Sequence, residues 1–173
     1  MADIKLLVDK VLNWEGNKFL ILKNDKGGPT KMGITLATWQ AIGYDKDKDG
    51  DIDVEDLKLI DKGDYHVVLQ KFWNKWKADD IKNQSLAALL VDWVWTSGSW
   101  GIVIPQRLLG IKQDGIVGPK TIAALNNQVA STFFQRVKQA REDFFEDICR
   151  KKPSQRKWHD GWINRNNSFL YKP

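Results

Sequence analysis

The hydrophobic pattern starts with an amphipathic segment at residues 3–14. Its apolar residues recur at the three- and four-residue spacing of one helix face: Ile4, Leu7, Val8, Val11 and Leu12. This spacing predicts a first α-helix that leads into Glu15, and Gly16 is a suitable terminator.

The next segments alternate between turn-forming and helical patterns. Residues 24–30 (NDKGGPT) are typical of a tight irregular loop, and short extended pieces beside it predict a β-hairpin near residues 20–35. Residues 34–43 predict a short helix, residues 45–56 a loop, and residues 57–80 further helix with aromatic periodicity.

The most apolar helix is predicted at residues 86–97, LAALLVDWVWTS. Asp92 lies inside it, and burying a lone carboxylate is costly, so this residue belongs either to a functional site or to a buried pair. A long helix is expected near residues 129–150. The pattern as a whole predicts a mainly α protein with one short hairpin.

Composition narrows the class of protein. Nine Trp residues raise the possibility of sugar stacking, although core packing is the better interpretation for any single one. No apolar run reaches the ~18 residues of a membrane span, and the acidic start argues against a signal peptide. Cys149 is the only cysteine, which excludes an internal disulfide and fits folding in a reducing cytoplasm. We expect no stable membrane insertion, and a monomer.

The net charge of +5 is concentrated in the second half of the chain. Residues 101–173 hold 13 Lys and Arg against six acids, whereas residues 1–100 hold 14 against 16. Such a surface favours an anionic partner, which charge alone leaves open among cell-wall polymer, membrane surface and nucleic acid. No nucleic-acid-binding motif accompanies the charge, so we expect no nucleic-acid partner.

Four segments occur in the order of a known family. WEGNKFLILKNDKGGPTKMGIT (14–35) resembles the EGG...DxGGxTxxGIT signature of glycoside hydrolase family 108, the lysozyme-like N-acetylmuramidases. VDWVWTSGSWG (91–101) resembles the D-x-x-x-x-SG region of that family. PQRLLGIKQDGIVGPKTIAAL (105–125) and GWINR (161–165) resemble its C-terminal peptidoglycan-binding region.

The resemblance implies a lysozyme-like helical fold and an enzyme that cleaves peptidoglycan glycan strands. It implies a catalytic region at residues 1–92 and a peptidoglycan-binding region at 93–173, packed into one compact domain. The enzyme would reach the wall through a holin-like pore or a dedicated export route. The alternative is a noncatalytic wall-binding or secretion-assisting protein. Substrate-binding roles are expected for Asp92, Ser97 and Trp100.

The resemblance implies that Glu15 is the general acid, whereas from the residues alone a solvated Glu at a helix end is the better interpretation. Glycosidic cleavage needs a protonated carboxyl group, and a helix C-terminus and an apolar neighbour such as Trp14 both disfavour the charged form. Asp25 is the candidate for the second catalytic group. The similar spacing of acid, Asp and Thr in phage-type lysozymes implies that Thr30 is a water or substrate ligand. A turn-capping role for Asp25 is equally compatible with the pattern.

Residues 45–56, DKDKDGDIDVED, match the calcium loop of an EF-hand. The ligand positions predict a structural Ca²⁺ site, and no cofactor is expected for the chemistry. A bare acidic turn is the other interpretation, since Asp replaces the usual Glu at position twelve. The candidate metal ligands are Asp45, Asp47, Asp49, Asp51 and Asp56.

Other hydrolytic chemistries fit poorly. His66 and His159 are the only histidines, and neither belongs to a zinc-binding pattern. Cys149 lies late in a predicted helix, where the dipole disfavours a thiolate, so a buried structural thiol is expected. DGIVGPKT (114–121) reads as a turn and helix start, with a wall-binding role implied only by the resemblance.

Overall fold

The computed structural model describes residues 1–16, 18–21 and 28–173. These residues are mainly α-helical with a small antiparallel sheet, as the sequence predicted. The helices are α1 Lys5–Glu15, α2 Leu36–Ile42, α3 Val54–Leu59, α4 Lys62–Lys75, α5 Gln84–Ser97, α6 Trp100–Leu108, α7 Pro119–Asn126, α8 Ala130–Lys151 and α9 Arg156–Asn167. The strands are β1 Phe19–Leu20, β2 Thr30–Lys31 and β3 Ile34–Thr35.

The chain divides into two compact units, residues 5–71 and residues 1–4 with 72–173. The predicted regions 1–92 and 93–173 stay a prediction, although the junction between residues 92 and 93 lies inside α5. No helix among the described residues combines the length and apolar character that crossing a bilayer requires.

In the unit of residues 5–71, the three strands form an antiparallel sheet in chain order. Thr30 pairs with Thr35 and Lys31 with Ile34, so Met32 and Gly33 form a two-residue turn. Both turn residues have positive φ, 53° and 73°, the backbone of the type I′ turn whose twist matches that of a hairpin. The hairpin predicted near residues 20–35 is therefore present.

The helical segment expected over residues 57–80 is present but is interrupted between α3 and α4. Ile60 ends α3 in an extended conformation. Asp61 then accepts hydrogen bonds from the backbone of Gly63 and Asp64, while the Asp64 carboxylate accepts one from the backbone of Asp61. This reciprocal capping starts a new helix, α4, because it satisfies backbone donors that would otherwise lack partners.

The other unit is organised around α5, where ten consecutive residues, 85–94, are buried. α5 packs against α6 and α8, and α9 packs against α8. A β-carbon on Gly101 of α6 would lie 2.5 Å from the backbone nitrogen of Val94, so only glycine permits this close approach of the two helices. Cys149 is buried on α8, as predicted.

The final helix, α9, has no counterpart in the predicted elements. It is strongly polar, and its one fully buried residue is Asn166. The Asn166 amide donates to the backbone oxygen of Lys138, 3.2 Å away, and to Glu142 Oε1, 2.9 Å away. α9 is thus attached to α8 partly through buried polar contacts, which hydrophobic periodicity does not reveal.

Candidate active site

Glu15 is the last residue of α1, and Gly16, with φ of +70°, turns the chain out of the helix. The Glu15 side chain is half-buried. Its carboxyl group packs against the β2–β3 turn: a β-carbon built on Gly33 would lie 2.5 Å from Glu15 Oε2 and 2.6 Å from Cδ. The turn therefore supplies a flat backbone surface for the carboxyl group, and a side chain at position 33 would displace it.

Thr30 lies on β2, the strand that leads into this turn. Its hydroxyl group donates a hydrogen bond to the backbone oxygen of Gly28 at 3.2 Å. The hairpin thus brings Thr30 and Gly33 into one rigid element, and Gly33 contacts the carboxyl group of Glu15. Trp14, the expected apolar neighbour, is 41% exposed. Asp25 lies outside the described residues.

The acidic loop at residues 45–56 brings its carboxylates together in two groups, in each of which the oxygens lie within 4.8 Å of one another. The first holds Asp45, Asp47 and Asp49, and the second Asp51, Asp53 and Asp56. Burial and repulsion from Asp49, Asp56 and Asp45 raise the pKa of Asp47. The pKa of Asp51 is also raised, chiefly by repulsion from Asp49. A cation would relieve this repulsion.

Asp56 differs from the other carboxylates of the loop because it is fully buried. Its two oxygens accept hydrogen bonds from the backbone of Asp53, Lys46 and Asp47, and these bonds hold its pKa below the usual value against the effect of burial. It completes the capping box of α3 with Asp53. Backbone N–H groups also donate to both oxygens of Asp45 and to Oδ1 of Asp47. The first group differs from Asp56 in that none of its members is buried, so a hard cation could reach its oxygens.

Asp92 is fully buried on α5, and two arginines contact it. Arg141 Nη2 lies 2.7 Å from Asp92 Oδ2, and Arg165 Nη2 lies 2.7 Å from Oδ1. Burial alone would raise the pKa of Asp92, but attraction by Arg141 and Arg165 outweighs it and lowers the pKa. Of the two interpretations left open by the sequence, the structure favours the paired carboxylate.

Ser97 and Trp100, the other predicted substrate-binding residues, flank the start of α6. Ser97 ends α5, and Trp100 is 54% exposed at one end of a groove of about 880 Å³ between α6 and α8. Apolar side chains and side chains of both charges line the groove. The apolar ones include Ile104, Leu108, Phe144 and Ile148, and the charged ones include Arg107, Asp143, Asp147, Lys151 and Lys152.

Sequence reasoning missed three residues of these sites. Gly33 belongs to the MGIT end of the quoted signature, but its contact with Glu15 joins elements 18 positions apart, which no local pattern reports. No sequence pattern indicated a role for Arg141 or Arg165. The buried Asp92 was the available indication, because a carboxylate in an apolar helix requires a cationic partner.

Comparisons with known proteins identify the family of the chain. The glycosyl hydrolase 108 family model matches residues 8–98, more than half of the chain, and the model of a predicted peptidoglycan domain matches residues 100–167. The solved structure of SagA from Brucella abortus is similar, with a TM-score of 0.72 and 24% sequence identity over 96% of this chain and 94% of that chain. At this identity the likeness is one of fold. No curated protein sequence matches. The chain therefore belongs to the glycosyl hydrolase 108 family and is a glycoside hydrolase that acts on peptidoglycan.

Proposed function

We propose that this enzyme is an endo-acting N-acetylmuramidase that hydrolyses the bond following N-acetylmuramic acid, with Glu15 as its general acid. The observation that carries the proposal is the position of the Glu15 carboxyl group against the Gly33 backbone. A general acid must be held within hydrogen-bonding reach of the leaving oxygen, and a rigid hairpin turn limits the positions open to it.

In the proposed reaction, the protonated Glu15 carboxyl group donates its proton to the glycosidic oxygen. The carbon–oxygen bond breaks, its electron pair stays on that oxygen, and positive charge develops on the sugar ring. On the opposite side, either the Asp25 carboxylate or a water molecule meets this charge. Water finally adds to the sugar carbon and gives up a proton, which restores the acid.

The products of a sacculus digest test the bond that is cleaved. Mass spectrometry after borohydride reduction is expected to find hydrated muropeptides that end in N-acetylmuramic acid. Products that end in N-acetylglucosamine, or anhydro products, would contradict the proposed chemistry. A digest by Glu55→Gln serves as the control, because Glu55 is an exposed residue of α3 that pairs with Lys58.

The groove between α6 and α8 is the proposed binding site for the cell wall. It lies in the part of the chain matched by the peptidoglycan model, and exposed Trp100 stands at its edge. An exposed aromatic face stacks on sugar rings, and a lining with both charges complements a peptide that carries ammonium and carboxylate groups. We take the enzyme as a monomer with peptidoglycan as its macromolecular partner.

The acidic loop is proposed to bind a structural Ca²⁺ ion. Asp45, Asp47 and Asp49 would provide side-chain ligands, and mutual repulsion among the carboxylates supports a need for a cation. The ion would neutralise the loop before α3 and would take no part in glycosidic cleavage.

Delivery to the wall is proposed to follow folding in the cytoplasm, through a membrane pore or a dedicated export route. The lone, buried Cys149 supports this order, because the fold needs no oxidising compartment. Expression by itself should leave host cells intact, whereas expression with a membrane-permeabilising agent should lyse them. Unprocessed protein outside the inner membrane of intact cells that lack such a pore or route would contradict the proposal.

A further inference from the structure

Arg141 is a buried cation whose donors are only partly used. It is 1% exposed on α8, and its guanidinium lies 5.6 Å from the ring centre of Phe145 and 6.0 Å from that of Phe169. Nη2 donates to Asp92 Oδ2 at 2.7 Å and to the hydroxyl of Thr96 at 3.0 Å. Within the described part of the chain, neither Nε nor Nη1 has a hydrogen-bond acceptor.

This arrangement leaves two buried nitrogens of a charged group without an acceptor among the described residues. A buried donor without an acceptor keeps the full cost of its lost hydration, and the cost is larger when the donor carries charge. Burial lowers the pKa of Arg141, and attraction by Asp92 only partly offsets that effect. Arg141 is therefore suited to receive an additional acceptor, preferably a negatively charged one.

A cavity of about 100 Å³ adjoins this side chain. Its wall combines two arginines with hydroxyl groups and with apolar side chains. The lining residues are Thr96, Ser97, Arg141, Phe145, Ile148, Trp162 and Arg165. Cationic and hydroxyl donors in an otherwise apolar wall are suited to a small carboxylate that carries a hydrocarbon substituent.

We propose that this cavity, at the junction of α5, α8 and α9, binds a carboxylate of the peptidoglycan stem peptide, with Arg141 and Ser97 as donors. The assignment of the ligand to the stem peptide rests on the proposed function above, since the enzyme meets such peptides on every strand that it cleaves. The carboxylate would accept from Arg141, and the methyl or methylene group beside it would contact Phe145 and Trp162.

The test uses soluble stem tetrapeptide, the same peptide with amidated carboxyl groups, and sodium acetate. Titrations of the full chain are followed by calorimetry and by the ¹⁵N–¹H signal of Arg141 Nε. The tetrapeptide should bind and shift this signal, and amidation should weaken binding at least about tenfold through loss of a charge-assisted hydrogen bond. Acetate should compete only weakly, because it lacks the rest of the peptide.

Two variants separate binding from folding. Arg141→Met removes the donors, and its thermal unfolding must be measured because it also leaves Asp92 with one arginine fewer. Ser97→Leu fills the cavity and leaves the Arg141–Asp92 pair in place, so it should weaken tetrapeptide binding at least about tenfold with a near-normal melting temperature. Ser131→Leu, at an exposed position of α8, is the matched control and should bind normally.

The outcomes are distinct from those that test the glycosidase. The inference is overturned if peptide and amide bind equally, if acetate binds as tightly as the peptide, if the Arg141 signal does not move, or if Ser97→Leu binds normally. Wild-type release of reducing ends from sacculi is measured in parallel. Normal release without tetrapeptide binding would reject the carboxylate site alone, whereas peptide binding without release would reject the glycosidase proposal.

Discussion

The backbone of Gly33 lies directly against the carboxyl group of Glu15, so close that any side chain at position 33 would overlap it. Gly33→Ala should therefore lower the rate of wall hydrolysis up to about a hundredfold, because a displacement of roughly 1 Å can cost that much. Gly110→Ala is the matched control: Gly110 has nearly the same φ, +69° against +73°, but open space around it. Both variants carry backbone strain of about 1–2 kcal/mol. Equal rates for the two variants would show that the Gly33 contact does not position the acid.

Trp100 gives a second prediction, on binding to the wall. Trp100→Ala should weaken the binding of the enzyme to purified sacculi in a pelleting assay, because it removes the exposed ring at the groove between α6 and α8. Trp158→Ala is the control, since Trp158 on α9 is 51% exposed and lies outside the residues that line the groove. Equal loss of binding in both variants would point to general surface hydrophobicity instead of the groove.

The Asp92 ion pairs predict how stability depends on pH. Because the folded-state pKa of Asp92 lies below its usual value, the stabilisation is present above about pH 4 and is lost as the pH falls through the folded-state pKa. Asp92→Asn should cost about 3–5 kcal/mol at pH 7, since it leaves two arginines beside a neutral group. Urea unfolding should show this difference shrinking as the pH is lowered below 4. If the difference in unfolding free energy between the wild type and Asp92→Asn stays constant with pH, the assignment is contradicted. Asp160→Asn, at an exposed position, is the control and should show little effect at either pH.

Replacement of Asp47 by Asn is expected to have opposite effects on thermal stability with and without calcium. In chelator, Asp47→Asn should raise the melting temperature slightly, because the raised pKa of Asp47 reports that its charge is unfavourable in the folded loop. When the free calcium concentration is a hundred times Kd, the free energy of unfolding of the wild type should rise by about 2.7 kcal/mol. That of the variant should rise by less. Magnesium at the same concentration as calcium is the control for ionic strength. If calcium leaves the melting temperature of the wild type unchanged, the loop is an acidic turn.

The elements that sequence predicted best are those with a strong hydrophobic signal. The apolar run in α5 and the amphipathic pattern of α1 both gave elements near their observed positions. Most of the loop predicted at residues 24–30 lies outside the described residues. The break at Ile60 and Asp61 was missed because a capping carboxylate and a mid-helix aspartate look alike in sequence. α9 was missed because Asn166 and Arg165 attach it through polar contacts.

The candidate site divides in the same way. Glu15 is predicted from a resemblance together with its place at a helix end, and both of these are local features. Its contact with Gly33, and the joining of Asp92 to Arg141 and Arg165, depend on how distant segments pack. Local sequence does not show which distant residues come into contact, so these contacts can be identified only from the structure.

The rate of wall hydrolysis by Glu15→Gln is the most direct test of the central claim. The amide keeps the shape of the side chain but has no proton to donate, so release of reducing ends from sacculi should fall roughly 10²- to 10⁴-fold. Circular dichroism and melting should remain those of a folded protein, and Glu55→Gln should hydrolyse the wall at the normal rate. A folded Glu15→Gln enzyme that retains more than about a tenth of the wild-type rate would contradict the assignment of Glu15 as the general acid.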